Sequence, residues 1–173
     1  IKAHLLLAEH LIDAEEYDDS LKQLDKVESV NPNRPEMWAF RAIIAHLRNQ
    51  RDQEEKARTT ALKFWATNPE VDFIIGRKLS QKYRFSEGSE YQRWALKSDP
   101  KYLPAKGQLA NDLLRLGQEE EGWRLAEEVS RADAYDIAAY NLVTLHDTIG
   151  KFAVLTNAHF TLRMASNEAE VYG

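Results

Sequence analysis

Four dipeptides punctuate this chain at nearly even intervals: Asn31-Pro32, Asn68-Pro69, Asp99-Pro100 and Asp133-Ala134. Read as helix stops, they are 37, 31 and 34 residues apart (32 to 69, 69 to 100, 100 to 134). A period near 34 belongs to arrays of helix-turn-helix units rather than to a single layered core. An Asn or Asp before Pro ends one helix and favours the turn that precedes the next, because the ring removes a donor and pushes the preceding residue out of the helical region. Nothing alternates like a strand before about residue 151.

Apolar spacing supports helices between these stops. Leu7, Leu11, Leu21, Leu24 and Val27 recur at three- and four-residue steps, broken by the polar turn Asp13-Ala14-Glu15-Glu16. Leu109, Leu113 and Leu116, then Gly117-Gln118-Glu119, then Leu125 and Val129 repeat the arrangement. One such pair of helices is too narrow to fold alone, so neighbouring pairs must stack to bury both faces.

These residues resemble the tetratricopeptide repeat (TPR). With Pro32 at the thirty-second position, Leu7, Ala8, Leu11, Tyr17, Ser20, Leu24 and Val27 stand where that family places large, small, large, aromatic, small, large and small residues. The unit starting at Leu103 is similar, with Leu109, Ala110, Leu113, Gly117, Gly122, Ala126 and Val129. Small residues at the eighth and twentieth positions let two helices cross closely. The second unit keeps Trp38, Ala42, Ala57 and Pro69 but has Arg41 at an apolar position and about three extra residues near Gln50 to Gln53. The third keeps Ile75, Gly88, Ala95 and Pro100 and reads as short at its turn, Tyr83 to Glu87. The resemblance covers about residues 1 to 149 and implies an all-α, right-handed superhelical solenoid. Its expected repeats are 1–34, 35–71, 72–102 and 103–136, with a half repeat at 137–150.

A fifth helix is expected over Tyr135 to Ile149, and residues 151–173 then leave the pattern. Phe152, Val154 and Thr156, followed by Phe160, Leu162 and Met164, alternate with their neighbours around Asn157-Ala158 as a hairpin would. Ser166 to Glu170 looks like the cap and first turn of another helix. A two-stranded hairpin needs cover for its apolar face, so this tail, read as the lead into a following domain, is expected either to fold back on the Tyr135 to Ile149 helix or, as the favoured outcome, to pair with a second copy.

Composition narrows the function. Lys+Arg 23 against Asp+Glu 28 gives a net charge of -5, with acidic runs at Asp13 to Asp19 and Glu119 to Glu121, a poor match for nucleic acid. Charges interrupt every apolar stretch well before the roughly 20 residues of a bilayer crossing. With Cys absent there is no disulfide, thiolate zinc site or cysteine nucleophile. His4, His10, His46, His146 and His159 contain no pair at the spacing of an H-E-x-x-H zinc site. No nucleophile elbow or phosphate loop appears. The chain is therefore expected to have no catalytic activity and no cofactor of its own, and to bind protein or peptide. Trp38, Trp65, Trp94 and Trp123 do not share one repeat position, and packing between helices is their expected role.

The resemblance also implies where a partner would bind. In this family the inner, concave surface comes mainly from first-helix residues near the second, fifth, ninth and twelfth to thirteenth repeat positions. In the first two units these include Lys2, Leu5, Glu9, Ile12, Glu36, Ala39 and Ile43. Further along they include Phe73, Asn111, Leu114, Arg115 and Asn141. Chaperone-binding members of the family carry a Lys and Asn clamp for a peptide carboxylate. Leu5, Glu9 and Phe40 occupy positions that such a clamp needs for polar ligands, so the expected guest is an extended or helical segment held by mixed contacts. A narrower resemblance runs through Pro104-Ala105-Lys106, Asp112 to Gly117 and Gly122-Trp123, and on through Phe160 to Met164 and Tyr172-Gly173. It is to bacterial, planctomycete-like proteins in which such repeats precede a zinc-metalloprotease-like domain. It implies a role in presenting substrate, in a bacterial cytoplasm or periplasm. A plain structural spacer is the third reading.

Overall fold

One backbone feature recurs with a strict period. Glu15, Asn49, Tyr83 and Gly117 all adopt positive φ, at 64°, 57°, 62° and 75°, and their numbers differ by 34 each time. Each closes the turn between the two helices of one pair, where a left-handed residue reverses the chain within a few positions. Only the fourth is the glycine that best tolerates this conformation. The computed structural model describes residues 1–172. The pairs are α1 (Lys2–Asp13) with α2 (Tyr17–Val30), α3 (Pro35–Leu47) with α4 (Arg51–Ala61), α5 (Pro69–Gln81) with α6 (Phe85–Ser98), and α7 (Leu103–Arg115) with α8 (Glu119–Ala132). A single helix, α9 (Ile137–Ile149), follows.

The regular spacing corrects the expected boundaries. First helices begin at 35, 69, 103 and 137, and second helices at 17, 51, 85 and 119. Pro69 therefore corresponds to Pro35, each opening a helix at a position where the missing N–H is no loss. It does not correspond to Pro32. The third pair starts at 69 rather than 72, with neither an insertion at Gln50 to Gln53 nor a deficit at Tyr83 to Glu87. The irregular element is α4, which stops at Ala61 and leaves a longer connection over residues 62–68. Phe64 and Trp65 are exposed there, and Asn68 caps α5 by accepting from the Glu70 N–H at 3.1 Å.

Small residues set the helix crossings. Ala8, Ala42, Gly76 and Ala110 share one repeat position, and all are buried. Ser20 faces Ala8 and donates its hydroxyl to the Ala8 carbonyl at 2.9 Å. A Cβ added to Gly88 would stand 3.0 Å from the Gly76 carbonyl oxygen and closer still to Ser80 Oγ. At Gly122 it would press on Leu114 Cγ at 2.8 Å. The apolar core forms two clusters. One runs from Leu5 through Ile43 and Ile75 to Tyr91, and the other gathers Leu109, Leu113 and Leu125.

Between the clusters lies a polar seam. Buried Asp112 accepts from the Ser80 hydroxyl at 2.8 Å and from Gln108 Nε2 at 2.9 Å. Not every expected apolar position is buried: Leu7 and Leu116 lie at the surface. Nor are all four tryptophans packing wedges. Trp38 packs against the first cluster and Trp123 stacks on His146 at 4.7 Å, but Trp65 and Trp94 are exposed.

The tail forms the expected hairpin. β1 (Ala153–Thr156) pairs antiparallel with β2 (Thr161–Met164), Leu155 opposite Leu162. Asn157 Oδ1 organises the turn by accepting from the N–H groups of His159 and Phe160, both at 2.8 Å. α10 (Ser166–Tyr172) follows. The whole is an all-α solenoid ending in a short hairpin. Among the described residues no helix is long and apolar enough to cross a membrane.

Candidate functional site

The face built from first helices is the expected binding surface, and its two halves differ. Over the first three pairs it is closed. Leu5, Ile12, Ala39 and Ile43 belong to the buried core, so these four cannot touch a partner. Their apolar side chains sit where α1, α3 and α5 converge, and the array is too tight there to leave them uncovered.

The closure is completed by charges reaching from α5 back to α1. Glu9 accepts from Arg77 Nη2 at 3.0 Å and pairs with Lys78 Nζ at 3.1 Å. Lys78, 1% exposed, also donates to Asp13 at 2.9 Å, and Lys82 donates to the Asp13 carbonyl at 2.8 Å. Glu9 is thus committed inside the molecule. Glu36 is likewise engaged locally, accepting from Arg34 at 2.7 Å near the start of α3. Lys2 is exposed at the opening of α1, away from any groove that Asn111 or Arg115 lines.

Beyond α5 the face opens. Asn111 and Arg115 line a groove of about 360 Å³ with Ser80, Gln81, Tyr83, Phe85 and Gln108. Its aromatic rim comes from the turn between α5 and α6. Tyr83 is 81% exposed and meets Phe85 edge-on, with ring centroids 5.9 Å apart. The Arg115 guanidinium lies 5.1 Å from the centre of the Phe85 ring, a cation–π contact that orients it. Asn111 Nδ2 is held by the Gly107 carbonyl at 2.9 Å. Near the floor, burial pushes the Asp112 carboxyl above the usual carboxylate range, against the pull of its Ser80 and Gln108 hydrogen bonds.

The remaining expected residues lie apart from this groove. Phe73 is half-buried, edge-on to Tyr102 at 5.6 Å and beneath Arg77. Leu114 is the wedge against Gly122, and Asn141 is exposed on α9. Tyr83, Phe85, Gln81 and Gln108 were missed by sequence reasoning. Tyr83, an aromatic residue left exposed in a turn, was the available signal, whereas Phe85 stands at the aromatic repeat position of Tyr17 and reads as packing. Among the described residues no cluster of His, Asp or Glu is placed to hold a metal ion.

A second recess, of about 580 Å³, lies between second helices α4 and α6. Arg51, Glu54, Glu55 and Arg58 come from one side, Glu87, Glu90, Tyr91 and Trp94 from the other, and His46 from α3. His46 bridges its floor, with Nδ1 2.8 Å from Glu54 and Nε2 2.6 Å from Glu87. Tyr91 donates its hydroxyl to Glu54, and burial followed by that carboxylate pushes the phenol well up, so it stays a donor throughout the working pH range.

No family model matches the chain, and no curated protein matches it. Solved structures share its fold. The crystal structure of MamA is 14% identical, with 83% of this chain and 84% of that one covered at a TM-score of 0.55. PilF of Pseudomonas aeruginosa is 14% identical over 86% of this chain and 70% of its own, at a TM-score of 0.54. YrrB, described as a TPR protein with an unusual peptide-binding site, is 11% identical over 78% and 69%, at 0.50. The likeness is one of fold: stacked helix pairs of TPR type.

Proposed function

We propose that this chain is a polypeptide-binding scaffold without chemistry of its own, engaged by a partner segment in the groove between α5 and α7. One observation carries the reading. The inner face is sealed by core packing and ion pairs as far as α5, and only beyond it do aromatic, amide and guanidinium groups converge on an open channel. Tyr83 and Phe85 offer apolar contact, while Asn111, Gln108 and Arg115 offer polar groups suited to peptide bonds and side-chain oxygens.

Phage display of random 12-residue peptides against the whole chain tests this. Selected peptides should lose about tenfold or more in affinity on Asn111→Ala/Arg115→Ala. They should be indifferent to Lys2→Ala. Binding that survives the groove substitutions unchanged would remove the proposal.

The junction resemblance gives a second reading, in which the array presents substrate to a zinc-metalloprotease-like domain. The uncovered apolar side chains of the hairpin, Val154, Phe160 and Leu162, favour a tail that docks on something. In solution we expect that partner to be a second copy through residues 151–173.

A further inference from the structure

At the fifth position of the first helix in each unit stand Leu5, Ala39, Phe73, Gly107 and Asn141. Leu5 and Ala39 plug the inner face, and Phe73 half-fills it against Tyr102. Gly107 puts no side chain there, although it lies in the middle of α7, where glycine weakens a helix relative to alanine. Other helical glycines are explained by their surroundings: a Cβ on Gly76, Gly88 or Gly122 would come within 3.0 Å of a neighbouring atom. A Cβ on Gly107 would meet nothing within 4 Å, and its φ is not positive. Neither a helix crossing nor the backbone conformation calls for glycine at this position.

What Gly107 leaves open is a cavity of about 170 Å³ between α7 and α9. Leu103, Pro104 and Leu142 line it beside the buried Ala110, Ala126 and Ala139. The carboxylate in the lining, Asp136, is already engaged, accepting from the Ala139 N–H at 2.9 Å. An apolar space of about 150 Å³ holds a benzene-sized group. The cavity therefore fits one branched aliphatic side chain, whereas a charged one would lose its water there without gaining a partner.

Gln108 and Asn111 line both this cavity and the α5–α7 groove. Their amide nitrogens are committed, Gln108 Nε2 to Asp112 and Asn111 Nδ2 to the Gly107 carbonyl, each at 2.9 Å. Their amide oxygens accept no hydrogen bond among the described residues, and neither is shut away from solvent. A segment seated in the groove thus runs past the mouth of the cavity and finds acceptors for its own N–H groups on the way.

We propose that the cavity beside Gly107 is a specificity pocket for one leucine, isoleucine or valine side chain of the polypeptide segment bound in the α5–α7 groove. This pocket builds on the groove as the binding site, and variants on either side of Asn111 separate the two.

The probes are 12-residue peptides selected by phage display on the whole chain and measured by fluorescence anisotropy. Gly107→Leu fills the cavity, since helical side chains lean towards the N-terminus and so towards Leu103 and Pro104. It should weaken the peptides by about tenfold or more, yet melt no lower than the native chain. Asn141→Leu puts the same side chain at the same repeat position of α9, outside the cavity, and should change binding by less than about twofold. Replacing the peptide's shared aliphatic residue by Ala should cost about tenfold on the native chain and less than about twofold on Gly107→Leu. Peptides that lose affinity on Asn111→Ala/Arg115→Ala but not on Gly107→Leu would overturn the pocket and leave the groove standing. Loss on Gly107→Leu alone would keep the pocket and remove the groove. A lower melting temperature for Gly107→Leu would give the glycine a packing role and overturn the pocket, as would selected peptides that share no aliphatic position. Failure to select any peptide would overturn both.

Discussion

Helices α5 and α9 occupy the same place in the third and fifth units of the array, yet the more polar of them is the more deeply buried. α5 carries Asp72, Arg77, Lys78 and Ser80 and hides most of its length, including three of those four side chains. α9 reads Ile-Ala-Ala-Tyr-Asn-Leu-Val, and Ala139 is its one buried residue, with Ile137, Tyr140 and Leu145 exposed. Composition does not decide burial here; coverage does. α5 is enclosed by α3, α6 and α7, and each buried polar group has found a partner on a neighbour: Asp72 on Arg58, Lys78 on Glu9 and Asp13, Ser80 on Asp112. α9 packs on α8, but among the described residues no second helix of its own unit lies over it.

If coverage rules, equivalent substitutions must have unequal effects. Gly88→Leu drives a side chain into the Gly76 backbone and should destabilise the protein by about 3 kcal/mol. Ala110→Leu should cost about 1 to 3 kcal/mol at a buried crossing, while Thr144→Leu, at the same repeat position on α9, should stay within about 0.5 kcal/mol. Urea melts followed by circular dichroism measure all three. Equal shifts for Ala110→Leu and Thr144→Leu would mean that α9 is as enclosed as α7.

Another repeat position supplies a second contrast, between Lys78 on α5 and His146 on α9. Lys78→Ala removes a buried stem and leaves Glu9 and Asp13 facing each other, partly in solvent, so a loss of about 2 kcal/mol is expected. His146→Ala loses only a half-exposed stack on Trp123 and should cost less than about 1 kcal/mol.

These contrasts also mark what was legible in the sequence. Helix pairing was visible because Leu24, Val27, Leu109 and Leu113 keep helical spacing. The tail hairpin was visible because its alternation is local. The strict 34-residue register was hidden, since Pro32 and Pro69 look alike as punctuation but stand outside and inside a helix start. Closure of the inner face was not legible either. It rests on Lys78 and Arg77 meeting Glu9 and Asp13 some 65 residues away in sequence, and no local pattern encodes that. Expecting Leu5, Ile12, Ala39 and Ile43 to face a partner assumed an open superhelix that these ion pairs draw shut.

Asp112 sharpens the comparison from the polar side, as a carboxylate at that same repeat position held in the seam between α5 and α7. Its folded-state pKa is raised, chiefly by burial, so the unfolded chain ionises first as pH rises. The resulting penalty is absent below the unfolded value near 3.9 and complete above the folded one. Asp112→Asn should therefore raise the melting temperature at pH 7 by about 2 to 4 °C, and the gain should vanish towards pH 3. The amide can donate to Ser80 Oγ, whose own proton goes to the Gly76 carbonyl, while its oxygen still accepts from Gln108. A variant that melts lower at pH 7 would show that the ionised carboxylate is worth its burial.

A small stability effect is expected where coverage is least, in the tail. Arg163 of β2 reaches Glu119 of α8 at 2.8 Å, but both side chains are more than two-fifths exposed, and such a pair contributes about 0 to 1 kcal/mol. Removing residues 151–173 should thus lower the melting temperature by less than about 3 °C. Its effect on association should be larger, because Val154, Phe160 and Leu162 are open and an isolated pair of strands leaves unpaired edges that a second copy can extend. Light scattering should find a dimer for the whole chain and a monomer for a version ending at Gly150. Two monomers of equal melting temperature would show that the tail neither caps α9 nor joins copies, and two dimers would place the contact on the array itself.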